Sequence, residues 1–329
     1  MDDYRMLIRR TGGPEVIERE AIAPSPSRPG PGEARVRHHA IGLNFIDIYR
    51  RSGLYPIDLP AGMGSEAAGV VEAVGAGVDG FAPGDRVAYA TGPLGAYATV
   101  RTMPAADLIP LPDGIGFDVA AAAMLKGLTA AFLAEPCAKV QPGQAVLVHA
   151  AAGGVGSILV QWLKALGATV IAHAGSAEKA ARAADLGAAH ALSCPMGELA
   201  AQVRALTAGA GVAVAFDGVG KASWEASLGS VARRGLIVSY GNASGPVPPF
   251  DALALMRAGS IFVTRPTMLD YMHSPEERRA LARRLFEKIA GGLRVPIGAR
   301  FALADAAEAH RELEARQTWG ATIFTPDQP

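Results

Sequence analysis

The run Val146-Leu147-Val148-His149-Ala150-Ala151-Ala152-Gly153-Gly154-Val155-Gly156 sets the architecture of this chain. A short apolar segment, a glycine-bearing turn and a helix start follow one another there. That is how a chain presents backbone N–H groups to a pyrophosphate. Ile158, Leu159, Trp162, Leu163 and Leu166 then recur at helical spacing until Gly167 closes the segment. Within the bend, Ala152, Gly153, Gly154 and Val155 are the expected phosphate contacts. Gly153 would let the backbone approach the anion, and Gly156 would let the helix pack close on its strand. Ala151 occupies the first glycine position of G-x-G-x-x-G, so the match is partial, and a tight turn with nothing bound is the competing reading.

Downstream, a second strand is expected at Thr169–Ala174, ending in Gly175-Ser176-Ala177-Glu178-Lys179. A chain selecting NAD carries a carboxylate at this tip to bind the ribose hydroxyls. Here Gly175, Ser176 and Lys179 stand instead, a set suited to a 2′-phosphate, which points to NADPH rather than NADH. The plainer reading makes Ser176 an N-cap and Glu178 and Lys179 a solvated first turn; both can hold at once. Further strands are expected at His190–Leu192, Val212–Phe216, Leu236–Tyr240 and Ile261–Thr264, with helices at Ser176–Leu186, Glu198–Thr207 and Ala222–Ala232. Six strands alternating with helices make an α/β, Rossmann-type doubly wound parallel sheet. Ligands bind beyond the carboxyl ends of such strands, which makes Gly218, then Tyr240, Gly241 and Asn242, then Phe262, Val263 and Thr264 candidate cofactor contacts. Plain turns are the alternative at each.

Residues 1–125 have a different texture, with short β-rich runs at Ala34–Gly42, Gly69–Val74, Asp85–Ala90 and Ala96–Val100. The turn clusters Pro24–Gly32 and Gly75–Gly80 separate such runs. After Thr264 a capping box, Ser274-Pro275-Glu276-Glu277, opens a long helix ending near Gly291 and Gly292. Phe301, Leu303, Ile323 and Phe324 mark strands and a helix returning to the first domain. With 329 residues, two domains are expected: 1–125 with 266–329, and 126–265. Lys plus Arg equals Asp plus Glu at 31 each, so no global field attracts nucleic acid or an anionic membrane. Cys137 and Cys194 give neither a disulfide framework nor paired metal spacing. The opening Met1-Asp2-Asp3-Tyr4-Arg5 lacks a signal peptide's apolar core, and the alanine-rich stretch near 119–134 reads as too short to span a bilayer. A cytoplasmic protein is expected.

Taken together, the chain resembles the medium-chain dehydrogenase/reductase superfamily, and within it the zinc-free quinone oxidoreductases of the zeta-crystallin type. The likeness rests on Gly42-Leu43-Asn44-Phe45-Ile46-Asp47, Ser52-Gly53-Leu54-Tyr55-Pro56, Gly64-Ser65-Glu66-Ala67-Ala68-Gly69-Val70-Val71 and Gly84-Asp85-Arg86-Val87. It continues through Leu125-Lys126-Gly127-Leu128-Thr129, the Ala150–Gly156 bend, Arg234-Gly235-Leu236, Ser239–Gly245 and Val263-Thr264-Arg265-Pro266. The resemblance implies a GroES-like, mainly β catalytic domain built from both chain ends, a Rossmann domain between them, and a homodimer. It also implies that Asn44, Tyr49 and Tyr55 position the nicotinamide or substrate, with Lys126 and Thr129 on the cofactor's other side and Arg316 reaching it. Tyr49 and Tyr55 as ordinary core tyrosines, and Arg316 as a solvated helix-end residue, stay open. Where the family commonly places a tyrosine on the adenosine phosphate, this chain has Cys194.

Zinc-using members carry a cysteine at the position of Asn44 and a histidine at that of Ser65. An amide and a protonated hydroxyl are poor zinc ligands, and no metal site is expected. Glu66 alone makes no metal site. His38, His39, His149 and His310 read as surface or supporting residues. A substrate that takes hydride without a Lewis acid is then expected, and a quinone qualifies. The expected function is NADPH-dependent reduction of a quinone. The alternatives are reduction of activated alkenes such as enals and enones, or a non-catalytic crystallin-like or RNA-binding role.

Overall fold

The computed structural model describes residues 2–23 and 28–326, so Pro24–Ser27 of the first turn cluster lies outside the described residues. The chain divides into two compact units, 1–126 with 274–329, and 127–273. The second crossing falls beyond the expected Arg265/Pro266 boundary. Residues Met268–Tyr271 form a short helix, and Tyr271 stacks on Phe132 with ring centroids 5.0 Å apart, which keeps the segment with the middle unit.

In the middle unit the central apolar runs become strands that are largely buried, while the edge runs His190–Leu192 and Phe262–Thr264 are only partly covered. The six are Ala145–Val148, Thr169–His173, His190–Leu192, Val212–Asp217, Val231–Ser239 and Phe262–Thr264, all pairing in parallel. Numbered along the chain, their spatial order is 3-2-1-4-5-6, so the sheet reverses direction between Ala145–Val148 and Val212–Asp217. One expected helix is shorter than its sequence suggests. It spans Trp224–Ser230, and the following strand already begins at Val231. Val231 is fully buried opposite Val212, and the register slips between Val212 and Val214 where Arg234 adopts φ 58°.

The other unit is an antiparallel construction. The strand Glu33–Leu43 pairs with Glu66–Val74, Val100–Pro104 and Ala321–Thr325, and the last of these pairs in parallel with Ile297–Ala302. The expected strand at Ala96–Val100 is displaced. Regular pairing starts at Val100, while Tyr97 and Thr99 bond irregularly to Met63, Met6, His38 and Tyr4. One core joins Tyr4, Ile41 and Tyr97 to Leu303, Ala306, Ala309 and Phe324, so both ends of the chain build it. The capping box forms: the Ser274 hydroxyl accepts from Glu277 N (3.1 Å) and Ser274 N donates to the Glu277 carboxylate (2.9 Å), opening the helix Pro275–Ala290.

The alanine-rich stretch is longer than expected. Phe117–Phe132 continues through a π-turn at Leu133–Cys137, giving 21 helical residues with the length and apolarity to cross a bilayer. Most of this helix is instead buried inside the protein, with Ala120–Met124 and Ala130–Ala134 almost wholly inaccessible.

Candidate active site

Beyond Val148 the strand pairing continues for one residue, His149 N donating to Phe216 O (3.0 Å). The backbone then reverses through Ala150 at φ 49°, a conformation uncommon for a residue with a side chain. Ala151 N is taken by His173 O (3.0 Å) and Gly153 N by Ala150 O (2.8 Å). The helix Gly154–Ala165 starts directly afterwards, so its first-turn N–H groups have no intrahelical acceptor and lie at the positive end of the helix dipole, an arrangement suited to an anion. A Cβ on Gly156 would lie 2.3 Å from Ala150 O, whereas one on Gly153 would meet the same oxygen at 3.1 Å. Close docking of helix on strand therefore depends on Gly156 most of all. At the next strand tip Gly175 is open, and the Ser176 hydroxyl accepts from Lys179 N (3.2 Å) as a true N-cap. The half-buried Lys179 ammonium has its pKa lowered, burial outweighing the nearby Glu178.

A polar cluster that spacing alone did not reveal sits at the sheet's switch point. One Asp217 carboxylate oxygen accepts from Val219 N (2.9 Å), Gly220 N (3.0 Å) and the Ser223 hydroxyl (2.7 Å), and the other from Ser227 (2.6 Å). Ser227 gives its proton to Asp217, so His149 Nε2, 2.9 Å away, must donate to the Ser227 oxygen. Among the described residues the buried His149 Nδ1 has no hydrogen-bond partner. Burial pushes the His149 pKa down to about 4. Burial alone would raise the Asp217 pKa, but His149 and the hydroxyl and N–H donors outweigh it and hold the carboxyl low. The cluster pins the turn at Gly218, where a Cβ would touch the Tyr240 ring at 2.8 Å; a Cβ on Gly241 would strike Gly218 O at 2.4 Å. Arg265 ties the neighbouring tip, donating to Ser239 O (2.8 Å) and Gly241 O (3.1 Å). With its amide oriented to match, Asn242 donates to Gly241 O (2.9 Å) and accepts from Arg265 (3.1 Å). Its side chain is thus engaged within the loop. Phe262, Val263 and Thr264 form the last strand, with Phe262 62% exposed. Thr129 is half-buried in this unit, and Cys194 lends its carbonyl to His173 Nε2 (2.9 Å).

In the unit built from both chain ends, Asn44 precedes the helix Phe45–Arg51, its backbone N donating to the Asp47 carboxylate (3.0 Å). Its side-chain nitrogen donates to Glu66 Oε1 (2.7 Å), and Lys126 Nζ donates to that same oxygen (2.7 Å). Leu125 N occupies Glu66 Oε2 (2.6 Å). Glu66 is 0% and Lys126 4% exposed, so this ion pair lies out of water. Gly42 makes room for it: a Cβ there would sit 2.2 Å from Glu66 Oε1. The Tyr49 and Tyr55 rings lie 5.2 Å apart at 59°, Tyr49 buried and Tyr55 half-buried. Arg316 is exposed, just past the helix Ala306–Glu314.

Asp47 also accepts from Ser65 (2.9 Å) and Tyr97 (3.1 Å), while Arg50 donates to Ser65 (2.7 Å). Burial raises the Asp47 pKa to about 6 against the pull of Arg50 and these donors. Tyr97 contacts His310 Nε2 (3.2 Å), whose other nitrogen faces Arg51 (3.2 Å). Of the two readings of the histidines, the supporting one fits three of them. His38, His149 and His310 are fully buried rather than superficial, and burial lowers the pKa of His38 and His310 to about 3. Among the described residues, no three His, Cys, Asp or Glu side chains are gathered to hold a metal.

The family model for the alcohol dehydrogenase GroES-like domain matches residues 30–113, and that for zinc-binding dehydrogenase matches residues 154–287. A quinone oxidoreductase of Pseudomonas aeruginosa is 51% identical over 98% of this chain and 99% of its own length. A 2-haloacrylate reductase of a Burkholderia species is 40% identical, covering 97% of this chain and 98% of that protein. The crystal structure of Escherichia coli quinone oxidoreductase complexed with NADPH superposes with a TM-score of 0.94 at 42% identity, over 98% of this chain and 100% of that one. With its glycine bend and two-unit construction, the chain belongs to the quinone oxidoreductases of the medium-chain dehydrogenase/reductase superfamily.

Proposed function

We propose that this protein is an NADPH-dependent quinone oxidoreductase that works without a metal. The observation that carries the cofactor choice is the second strand tip, where Gly175, Ser176 and Lys179 replace the carboxylate an NAD enzyme uses. Ala152, Gly153, Gly154 and Val155 hold the diphosphate at the helix start. Ser176 and Lys179 take the 2′-phosphate. Gly218, Tyr240, Gly241, Asn242, Phe262, Val263 and Thr264 shape the rest of the nucleotide site, with Thr129 and Arg316 as the further contacts the family implies and Lys126 lining the nicotinamide end. When bound, NADPH supplies the hydride. Asn44 and Tyr49 orient the nicotinamide or the acceptor oxygen, and Tyr55 offers an aromatic wall to a flat ring. A quinone accepts hydride readily because its reduced form is a stabilised phenolate, so orientation provides much of the rate.

Two free cysteines suit a reducing compartment such as the cytoplasm. The sheet edge at Phe262–Thr264 supports a homodimer. Phe262 is 62% exposed there, and Leu253, Met256 and Leu269 of the same unit are 49%, 59% and 58% exposed. Sedimentation equilibrium should return twice the chain mass for the wild type and a monomer for Phe262→Glu; a wild-type monomer rules the dimer out.

Lys179→Ala tests the cofactor placement. NADPH affinity, read by nicotinamide fluorescence, should fall about tenfold, equivalent to about 1.4 kcal/mol, while NADH affinity holds. An unchanged NADPH affinity would remove Lys179 from the 2′-phosphate. NADPH oxidation should be rapid with benzoquinone-type acceptors and slow with enones; the reverse order points to alkene reduction.

A further inference from the structure

We propose that Lys126 is the proton donor for the reduced acceptor and that Glu66 is the residue that positions it. This rests on the quinone-reductase reading above. The argument begins with a side chain in an expensive place. Lys126 carries an ammonium at 4% exposure, and its single hydrogen-bond partner among the described residues is Glu66 Oε1 at 2.7 Å. A buried ion pair contributes little net stability, since losing water costs as much as the attraction returns. Two apolar side chains would fill this space at least as well. An ammonium has three N–H donors, and Glu66 takes one. Two remain for an acceptor.

The direction of those donors is constrained. Asn44 Nδ2 reaches the same Glu66 oxygen, also at 2.7 Å, so the amide proposed to orient the acceptor and the Lys126 ammonium are neighbours across one atom. Glu66 cannot swing away, because Leu125 N holds its second oxygen at 2.6 Å and the bare Gly42 backbone closes in beside the first. Glu66 thereby anchors both donors at once. That geometry suits a charge that develops on an oxygen only during the reaction.

The chemistry balances with this one group added. A quinone that accepts hydride from NADPH gains two electrons, NADPH is oxidised to NADP+, and one acceptor oxygen becomes a phenolate. A Lys126 N–H bond breaks as the phenolate O–H bond forms, giving the hydroquinone. The neutral amine then recovers a proton from water. Before transfer, the ammonium also stabilises the growing negative charge, and Glu66 keeps that ammonium aimed.

The decisive comparison separates this role from simple cofactor binding. Lys126→Met alone would strand Glu66 as an unpaired buried charge and could unfold the unit, so the working variant is the neutral pair Lys126→Met with Glu66→Gln. At saturating NADPH its kcat with a benzoquinone should fall about 100-fold or more. Its NADPH Kd, measured by nicotinamide fluorescence without acceptor, should stay within about twofold of wild type, the pattern of a group acting in the transition state alone. Glu66→Gln alone should lower kcat less, at unchanged Kd, and Glu66→Asp should recover part of that loss. Weakened NADPH binding with kcat retained would make Lys126 a cofactor ligand and overturn the proposal. Retention of both values would overturn it too. Wild-type turnover is the control: should the wild type oxidise NADPH with neither quinones nor enones, the functional reading itself fails, and this role falls with it.

Discussion

Asp217 and Glu66 are both buried carboxylates at the heart of their units, and they spend their oxygens differently. Asp217 accepts from two backbone N–H groups and two serine hydroxyls, with His149 one bond behind. Glu66 accepts from an ammonium, a side-chain amide and one backbone N–H. The first arrangement fixes the path of the main chain around a sheet end. The second fixes the position of functional side chains. A nucleotide gripped by backbone groups needs the former, and chemistry carried by side chains needs the latter. Damage should therefore register as lost shape and binding in residues 127–273, and as lost turnover in the other unit.

The largest effect is expected at Asp217. Asp217→Ala takes the acceptor from two N–H groups and from the Ser227 hydroxyl, and leaves the Ser223 hydroxyl only Gly220 O. Urea denaturation should show a loss of about 4 kcal/mol, with nucleotide binding lost alongside. A variant as stable as wild type would show that the cluster does not hold the turn. Gly156→Val comes next, because the new side chain meets the Ala150 carbonyl, which cannot yield as a flexible side chain would. It should cost about 3 kcal/mol and abolish NADPH fluorescence enhancement, whereas tight binding by that variant would break the proposed phosphate grip.

Asp47 sharpens the contrast from the other unit. Burial raises its pKa to about 6, above the value of an unfolded aspartate. The folded state thus holds this proton more tightly. The stability it contributes is whole below about pH 4 and drains away as pH rises through about 6. Asp47→Asn removes that ionisation. Relative to wild type it should gain about 2–3 kcal/mol between pH 4 and pH 7, measured by denaturation at each pH. A constant difference across that range would mean that Asp47 is ionised at little cost in the fold.

The strands of the middle unit were legible because each is an apolar run closed by glycine or a polar tip, such as Val146–Val148 before the bend. The capping box at Ser274 was legible for the same local reason. What escaped notice is long-range. Nothing in the spacing of Glu66, Asn44 and Lys126 says that they meet, and Asp217 looks like any polar residue ending a strand until Ser223 and Ser227 fold back on it. The sequence left the histidines open between surface and supporting roles because an imidazole's burial depends on partners elsewhere, as His310 depends on Tyr97 and Arg51. At Val231 a local helical preference yielded to pairing with Val212. Tyr97 and Thr99 left a regular ladder for partners in three separate segments.

One side of the Ile41–Leu43 end of the strand Glu33–Leu43 lacks its neighbour until Ala321–Thr325 arrives, and the core around Tyr97 lacks Phe324 until the same moment. On the ribosome, then, the order of maturation is inverted. The portion made first must wait, open-edged, while the nucleotide-gripping portion made after it can already close. Chaperone demand during synthesis should accordingly centre on the earliest third of the polypeptide.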